Sequence, residues 1–307
     1  MTKVFIDGRA GTTGLRIYER LEARNDIELI TLSEAERKED SARKRALNSS
    51  DISFLCLPDD ASRQAVSMID NENTVVIDTS TAHRTAEGWA YGLPELGKDF
   101  ADSVKNSKRI AVPGCHASGF IVLVHPLIKA GLVSTDALLT CHSLTGYSGG
   151  GKKMIADYEA DTRNVLLNSP RQYGLTQTHK HLKEMVHVTG IENAPVFCPI
   201  VADFYSGMEV TVPLFASQLK GSAEDIKELY RSLYTGAIVN YADIDEGGFA
   251  SAGALSGKDS MRVSVEGNDD RILLIARYDN LGKGASGAAI ECMNLVLGFD
   301  AGEGLDI

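Results

Sequence analysis

The sequence predicts an α/β protein in two parts, a doubly wound parallel sheet followed by an α+β domain whose sheet is mostly antiparallel. Three observations carry this expectation. Toward the N-terminus, short apolar runs alternate with helical patterns, as crossover helices between parallel strands require. A glycine-punctuated turn, Gly8-Arg9-Ala10-Gly11-Thr12-Thr13-Gly14, follows the first of these runs directly. From Asp136 onward, strand-like segments succeed one another across short turns such as Glu266-Gly267-Asn268-Asp269.

The bulk composition suits this division. A chain of 307 residues, 43% hydrophobic and 24% charged, is an ordinary globular composition with room for two domains. A formal net charge of -11 argues against nucleic acid or an anionic membrane surface as partner and leaves a small-molecule substrate. Cys56, Cys115, Cys141, Cys198 and Cys292 are odd in number and never spaced as CxxC. They indicate neither a disulfide framework nor a zinc ribbon, and a reducing, cytoplasmic location is expected. No targeting segment or membrane span is expected either, since Met1-Thr2-Lys3 runs straight into a strand and no apolar run approaches the length of a span.

Lys3 to Asp7 reads as the first strand, Gly8 to Gly14 as a turn and Leu15 to Leu21 as an amphipathic helix. Gly8, Gly11 and Gly14 form a GxxGxxG variant of the dinucleotide fingerprint, with Thr12 and Thr13 at the helix start. Glycine lets backbone approach a pyrophosphate, and the helix N-terminus favours the anion. A glycine turn of an unrelated α/β protein is the other reading. After the second strand, Ile27 to Thr31, stand Ser33, Glu34, Glu36, Arg37 and Lys38 where a single acid would mark NAD. Ser33 with Arg37 or Lys38 suits a 2′-phosphate and favours NADP; otherwise Glu34 to Arg45 is a solvated helical face of alternating charge.

Ile52 to Leu57 and Thr74 to Asp78 read as the third and fourth strands, and their carboxyl ends define the ligand edge of such a sheet. A fifth strand, Arg109 to Val112, then meets the turn Pro113-Gly114 and delivers Cys115 to the same edge, at the start of the apolar helix running through Phe120 to Leu127. A thiol at a helix N-terminus meets unpaired N–H groups and the positive end of the dipole. Both favour the nucleophilic thiolate and an oxyanion formed beside it. The competing reading is inert packing, the usual state of a lone cysteine.

In the second half, Tyr147-Ser148-Gly149-Gly150-Gly151-Lys152-Lys153 offers amides, a hydroxyl and two ammonium groups to an anion, unless it is a loop opening a helix. His179-Lys180-His181 holds the best acid/base candidates; with no HExxH and no third ligand in register, no metal is expected. Ala288 to Leu297 is an apolar helix that returns to the first domain and makes it discontinuous. The residues alone support an NAD(P)-linked, thiol-dependent enzyme of aldehydes or acyl phosphates.

Taken together, Gly8 to Gly14, Tyr91-Gly92-Leu93-Pro94-Glu95, Ile110 to Cys115, Gly146 to Lys153, His179-Lys180-His181 and Asp279-Asn280-Leu281-Gly282-Lys283-Gly284 resemble the N-acetyl-γ-glutamyl-phosphate reductases of arginine biosynthesis, in their shorter form. The resemblance covers the whole chain, and the aspartate-semialdehyde dehydrogenases share its architecture. It implies a Rossmann-type, glyceraldehyde-3-phosphate dehydrogenase-like fold, with residues 1–115 and 285–307 binding NADP and 116–284 carrying catalysis and self-association as a homodimer or homotetramer. It implies Cys115 as nucleophile and His179 as acid/base. Ser148, Gly149 and Asn280 are expected as further cofactor contacts, and Arg84, Glu95, Ser148, Lys152 and Lys153 are expected around the substrate. One position departs from the commoner form: Lys183 stands where HxHxPE has proline, with Glu184 retained. The rival readings are an aspartate-semialdehyde dehydrogenase-like reductase of another acyl phosphate, an NADP-sensing regulator without catalysis, and a cysteine hydrolase.

Overall fold

Apolar residues packed two-sidedly make the first strands. In β1 (Thr2–Asp7), Val4 and Ile6 face one side of the sheet and Phe5 the other, all buried. The computed structural model describes residues 1–307 and divides them into two units. The first comprises Met1–Pro94, Lys98–Gly114 and Ala285–Leu305, the second Glu95–Gly97, Cys115–Gly284 and Asp306–Ile307.

In the first unit, β1 is followed by α1 (Thr12–Glu22), β2 (Ile27–Ile30), α2 (Asp40–Ser49), β3 (Ile52–Leu55), α3 (Asp59–Ser67), β4 (Val75–Asp78), β5 (Ala90–Tyr91), α4 (Lys98–Asn106) and β6 (Arg109–Ala111). The strands form one parallel sheet in the order β2-β1-β3-β4-β6-β5. Ile17 and Leu21 of α1 and Val104 of α4 pack on Val4, Ile6, Phe54 and Ile77; Ala46 and Leu47 of α2 and Ala65 of α3 pack on Phe5, Leu55 and Val76. Each such large apolar side chain taken out of water contributes about 1.5–3 kcal/mol.

Two sequence expectations change here. The strand leading to Cys115 is the sixth, because Ala90–Tyr91 inserts a two-residue edge strand too short to show a pattern. The charged stretch Glu34 to Arg45 is not uniformly solvated: it breaks into a 3₁₀ turn, Glu36–Lys38, and α2, where Arg43 is buried against the Asp7 carboxylate at 2.8 Å.

The second unit contains α5 (Cys115–Lys129), β7 (Thr140–Gly146), α6 (Gly151–Glu159), β8 (Arg171–Gln172), α7 (His181–Thr189), β9 (Val196–Ala202), β10 (Met208–Phe215), α8 (Ala223–Leu233), β11 (Val239–Tyr241), β12 (Met261–Gly267) and β13 (Arg271–Tyr278). Its sheet runs β11-β12-β13-β10-β7-β9-β8, antiparallel except at β11-β12 and β7-β9. The helices α5 and α8 cover one face. Gly119 of α5 is required there, since a Cβ would fall 2.6 Å from the Tyr278 hydroxyl and from Val210.

A π-helical turn, Gly282–Ser286, leads into α9 (Gly287–Leu297), whose residues Ala288, Ala289, Ile290, Cys292 and Met293 belong to the first unit's core. No helix is long and apolar enough to cross a membrane.

Candidate active site

The glycine turn is built by exclusion of side chains. Gly8 has φ +88°, and a Cβ there would lie 2.2 Å from the Cys56 carbonyl oxygen; at Gly14 one would lie 2.5 Å from the Gly8 oxygen. Gly11 caps α1 with no side-chain acceptor for the first-turn N–H groups, and no acidic residue stands in that turn. Thr12 and Thr13, half-buried, open the helix. A backbone cradle of this kind fits a pyrophosphate, so the chain's own geometry accommodates a dinucleotide. Arg37 lines a small pocket with Arg9, Tyr18 and Leu32, and the Arg9 guanidinium lies 3.2 Å from the Tyr18 ring centroid. Arg9 is thus a second cation lining this pocket, one that the glycine spacing does not single out. Ser33 is tied to Glu36, its hydroxyl donating to Oε2 at 2.6 Å.

The loop after β4 is fixed by Asp78, fully buried, which accepts from the Ser80 hydroxyl at 2.7 Å and faces His83 Nδ1 at 2.6 Å. The His83 ring stacks on Trp89 at 4.0 Å. Arg84, expected to anchor substrate, is buried and donates to the backbone carbonyls of Val112 (2.8 Å) and Thr79 (2.9 Å). Its guanidinium therefore holds two strand-end segments together.

Cys115 is the first residue of α5, directly after Pro113-Gly114, half-buried and free of disulfide. Tyr278 sets this helix start. Its hydroxyl donates to the Cys115 carbonyl and accepts from Gly119 N–H at 3.0 Å, so it is inserted into the first turn. The opposite wall is Gly284, where a Cβ would come within 3.1 Å of the Cys115 Cβ. Asp279 shapes that loop, accepting from Leu281 N–H at 2.7 Å and from the Ser206 hydroxyl at 2.6 Å.

At His116, the residue after Cys115, the second unit gathers three imidazoles. The ring centroids of His116 lie 5.8 Å from His179 and 5.6 Å from His181, and those two are 4.6 Å apart. His179 is half-buried and precedes α7; its Nδ1 accepts from His181 N–H at 3.2 Å, which leaves Nε2 as the protonated nitrogen of the neutral ring. His181 is buried as the first residue of α7. Lys183, in place of a proline, is exposed in the first turn of α7, where a proline would remove no intrahelical bond. His116 was not among the residues expected to matter. Both its ring nitrogens are engaged, Nδ1 by Ser143 and Nε2 by Tyr173, each at 2.6 Å, and burial pushes its pKa down to about 3.

Ser148 and Asn280, 132 positions apart, meet: the Asn280 amide donates to the Ser148 hydroxyl at 3.0 Å, and Gly149 lies beside that amide. Lys152 and Lys153 are exposed in the first turn of α6. Cations there oppose the helix dipole, a placement that an incoming anion would relieve. Glu95, expected at the substrate, pairs with Lys283 at 2.5 Å; Lys283 is wholly buried, Glu95 16% exposed.

A parallel α/β unit with a glycine cradle, and a mixed-sheet unit carrying a helix-start cysteine among histidines, define a protein of the semialdehyde dehydrogenase class. Residues 3–104 match the family described as semialdehyde dehydrogenase, NAD binding domain, and residues 115–280 the semialdehyde dehydrogenase dimerisation domain. Among solved structures, aspartate semialdehyde dehydrogenase II of Vibrio cholerae, complexed with ASA, superposes with TM-score 0.72 over 97% of this chain and 98% of that one, at 17% identity. The aspartate semialdehyde dehydrogenase of Candida albicans, with NADP, gives 0.68 over 97% and 98%, at 15%.

Curated relatives are far closer in sequence. N-acetyl-gamma-glutamyl-phosphate reductase 2 of Nostoc sp. is 41% identical over 99% of both chains. The N-acetyl-gamma-glutamyl-phosphate reductase of Sinorhizobium medicae is 44% identical over 96% of this chain and 98% of its own. The chain belongs to the N-acetyl-γ-glutamyl-phosphate reductase family.

Proposed function

We propose that this protein reduces N-acetyl-γ-glutamyl phosphate to N-acetylglutamate 5-semialdehyde, with release of phosphate, in arginine biosynthesis. The observation that carries the reading is Cys115, seated at the start of α5 with its first turn braced by Tyr278 and followed by His116, on which His179 and His181 cluster. The Cys115 thiolate attacks the acyl carbonyl, the bond from that carbon to the phosphate oxygen breaks, and a thioester remains on sulfur. NADPH, when bound, supplies hydride to the thioester carbonyl. The N–H groups at the α5 start stabilise the resulting oxyanion, and His179 gives it the Nε2 proton. That proton is removed again as the carbon–sulfur bond breaks and the aldehyde leaves.

The first unit acts as the NADP-binding domain. Gly8, Gly11, Thr12, Thr13 and Gly14 hold the pyrophosphate, and Ser33, Arg37 and Arg9 take the 2′-phosphate. Ser148, Gly149 and Asn280 form a further cofactor contact, and Lys152 and Lys153 attract the substrate's anionic groups. All five cysteines are free, which supports a reducing, cytoplasmic setting.

The partner is a second copy of the chain. Register places Val196, Phe215 and Leu273, at 55%, 63% and 39% exposure, on the sheet face opposite α5 and α8. A homodimer built through this face is expected, and Leu273→Glu with Phe215→Glu shifts the sedimenting species to monomer.

The reaction is tested in reverse. NADP⁺ reduction with N-acetylglutamate semialdehyde should require phosphate and vanish in Cys115→Ala. Aspartate semialdehyde at the same concentration should support little turnover; equal turnover would reassign the substrate.

A further inference from the structure

The mechanism above leaves three polar residues beside Cys115 without a part: Ser143 on β7, His116 on α5 and Tyr173 on the loop before α7. They are linked in one line by two short hydrogen bonds, Ser143 Oγ to His116 Nδ1 and His116 Nε2 to Tyr173 Oη, both 2.6 Å. We propose that this chain has a fixed direction and presents the Tyr173 hydroxyl proton to the carbonyl oxygen of the acyl group on Cys115. Tyr173 is then a further catalytic residue, and His116 and Ser143 are positioning residues that act through it. The inference rests on Cys115 as the nucleophile.

The direction follows from proton counting. His116 is 3% exposed and uncharged, so its ring carries one N–H. Ser143 is fully buried, and His116 Nδ1 is its hydroxyl's one side-chain or backbone partner. A buried hydroxyl donor needs an acceptor, so Ser143 donates to Nδ1. The imidazole proton is therefore on Nε2, which donates to Tyr173 Oη. Tyr173 already accepts there, and its own O–H proton has no acceptor within the protein. The reverse arrangement would direct the phenol proton to Nε2 and orphan the hydroxyl of Ser143.

The phenol is held near Cys115. Burial and the neighbouring Cys115 both raise its pKa, so it stays protonated. Tyr173 N–H donates to the Pro199 carbonyl at 3.0 Å, fixing the loop on β9. Four residues on, Gln177 sits at φ +56°, the one non-glycine residue at positive φ. Its carboxamide accepts from Phe197 N–H at 2.9 Å and donates to the Phe197 carbonyl at 2.7 Å. This strained anchor pins the segment that carries both Tyr173 and His179. An uncharged donor beside the acyl carbonyl complements the His179 proton, polarising the oxygen before hydride arrives and holding it afterwards.

The test uses steady-state kinetics of the full-length protein with N-acetyl-γ-glutamyl phosphate and NADPH. Tyr173→Phe should lower kcat by about 100-fold, the typical loss of one oxyanion donor, with KM little changed. His116→Leu should match it, while His116→Gln, which offers an uncharged N–H in place of Nε2, should recover most of the rate. The double variant Tyr173→Phe/His116→Leu should be no slower than either single one, because both remove one chain. Iodoacetamide labelling of Cys115 and NADPH fluorescence should be unchanged in each, a result that a general loss of structure would not give. If His116→Leu does not fold, Ser143→Ala takes its place, with a loss of rate expected. A Tyr173→Phe enzyme at wild-type kcat, losses that multiply in the double variant, or His116→Gln as slow as His116→Leu would each overturn the proposal. Full turnover by Cys115→Ala would instead overturn the nucleophile assignment beneath it.

Discussion

Tyr278→Phe isolates the device that seats Cys115. The phenylalanine keeps the ring in its buried site and removes one hydroxyl, which donates to the Cys115 carbonyl and accepts from Gly119 N–H. Deletion strands one acceptor and one donor in the first turn of α5. Each buried group left without a partner costs about 1–3 kcal/mol, so both together bound the loss at about 2–6 kcal/mol. The two groups are related as i and i+4, and relaxation of the turn lets Gly119 N–H reach the Cys115 carbonyl directly. That recovers part of the loss and brings the expectation to about 2 kcal/mol. For a unit of this size it corresponds to a fall of about 4–8 °C in melting temperature. The same closure moves Cys115, so iodoacetamide labelling of the thiol should slow relative to wild type. The assay is a thermal melt beside a labelling time course at pH 7.5. A variant that melts within a degree of wild type and labels at the same rate would refute the claim that Tyr278 seats the helix start.

Three further outcomes follow from the same structure. His116 faces Ser143, Tyr173, His179 and His181, and burial holds its pKa at about 3 against an ordinary value near 6.5. Between those values the unfolded chain binds a proton that the folded chain does not, so stability falls with falling pH, by at most about 1.4 kcal/mol per pH unit. His116→Gln should lose less urea resistance than wild type between pH 7 and 5; equal losses would contradict this. Gly8→Ala forces a Cβ to 2.2 Å from the Cys56 oxygen at φ +88°, and NADPH fluorescence titration should show binding weakened at least tenfold. Glu95→Gln leaves the Lys283 ammonium buried without its carboxylate and should destabilise by about 3–5 kcal/mol, measured by urea unfolding. Replacing Lys283 by methionine in that variant should restore much of the loss, and failure to do so would place the role of the pair outside stability.

Short-range chemistry was legible in the sequence. The turn at Gly8 to Gly14 and the helix start at Cys115 are written in adjacent residues, because glycine spacing and Pro113-Gly114 act locally on the backbone. Hairpin β12–β13 and the apolar α9 were equally readable from period and turn residues. What escaped depends on register between distant segments. Ser143 and Tyr173 stand 27 and 57 positions from His116 and meet it only once β7, β9 and the loop before α7 are in place. Tyr278 is 163 positions from the carbonyl it holds. The bonds of Arg84 to the Val112 and Thr79 carbonyls and the pairing of Glu95 with Lys283 likewise depend on segments brought together by the fold. Arg43 looks like a surface charge until the position of Asp7 at the end of β1 is known.

The covalent step is open to direct observation. The protein is mixed with N-acetyl-γ-glutamyl phosphate in the absence of NADPH, quenched in acid, digested and weighed by mass spectrometry. The peptide containing Cys115 should gain the mass of one N-acetylglutamyl group, with one phosphate released per chain, and hydroxylamine should remove it. An unmodified Cys115 peptide alongside full turnover when NADPH is present, or the same added mass in Cys115→Ser recovered on another residue, would contradict a thioester route through this cysteine.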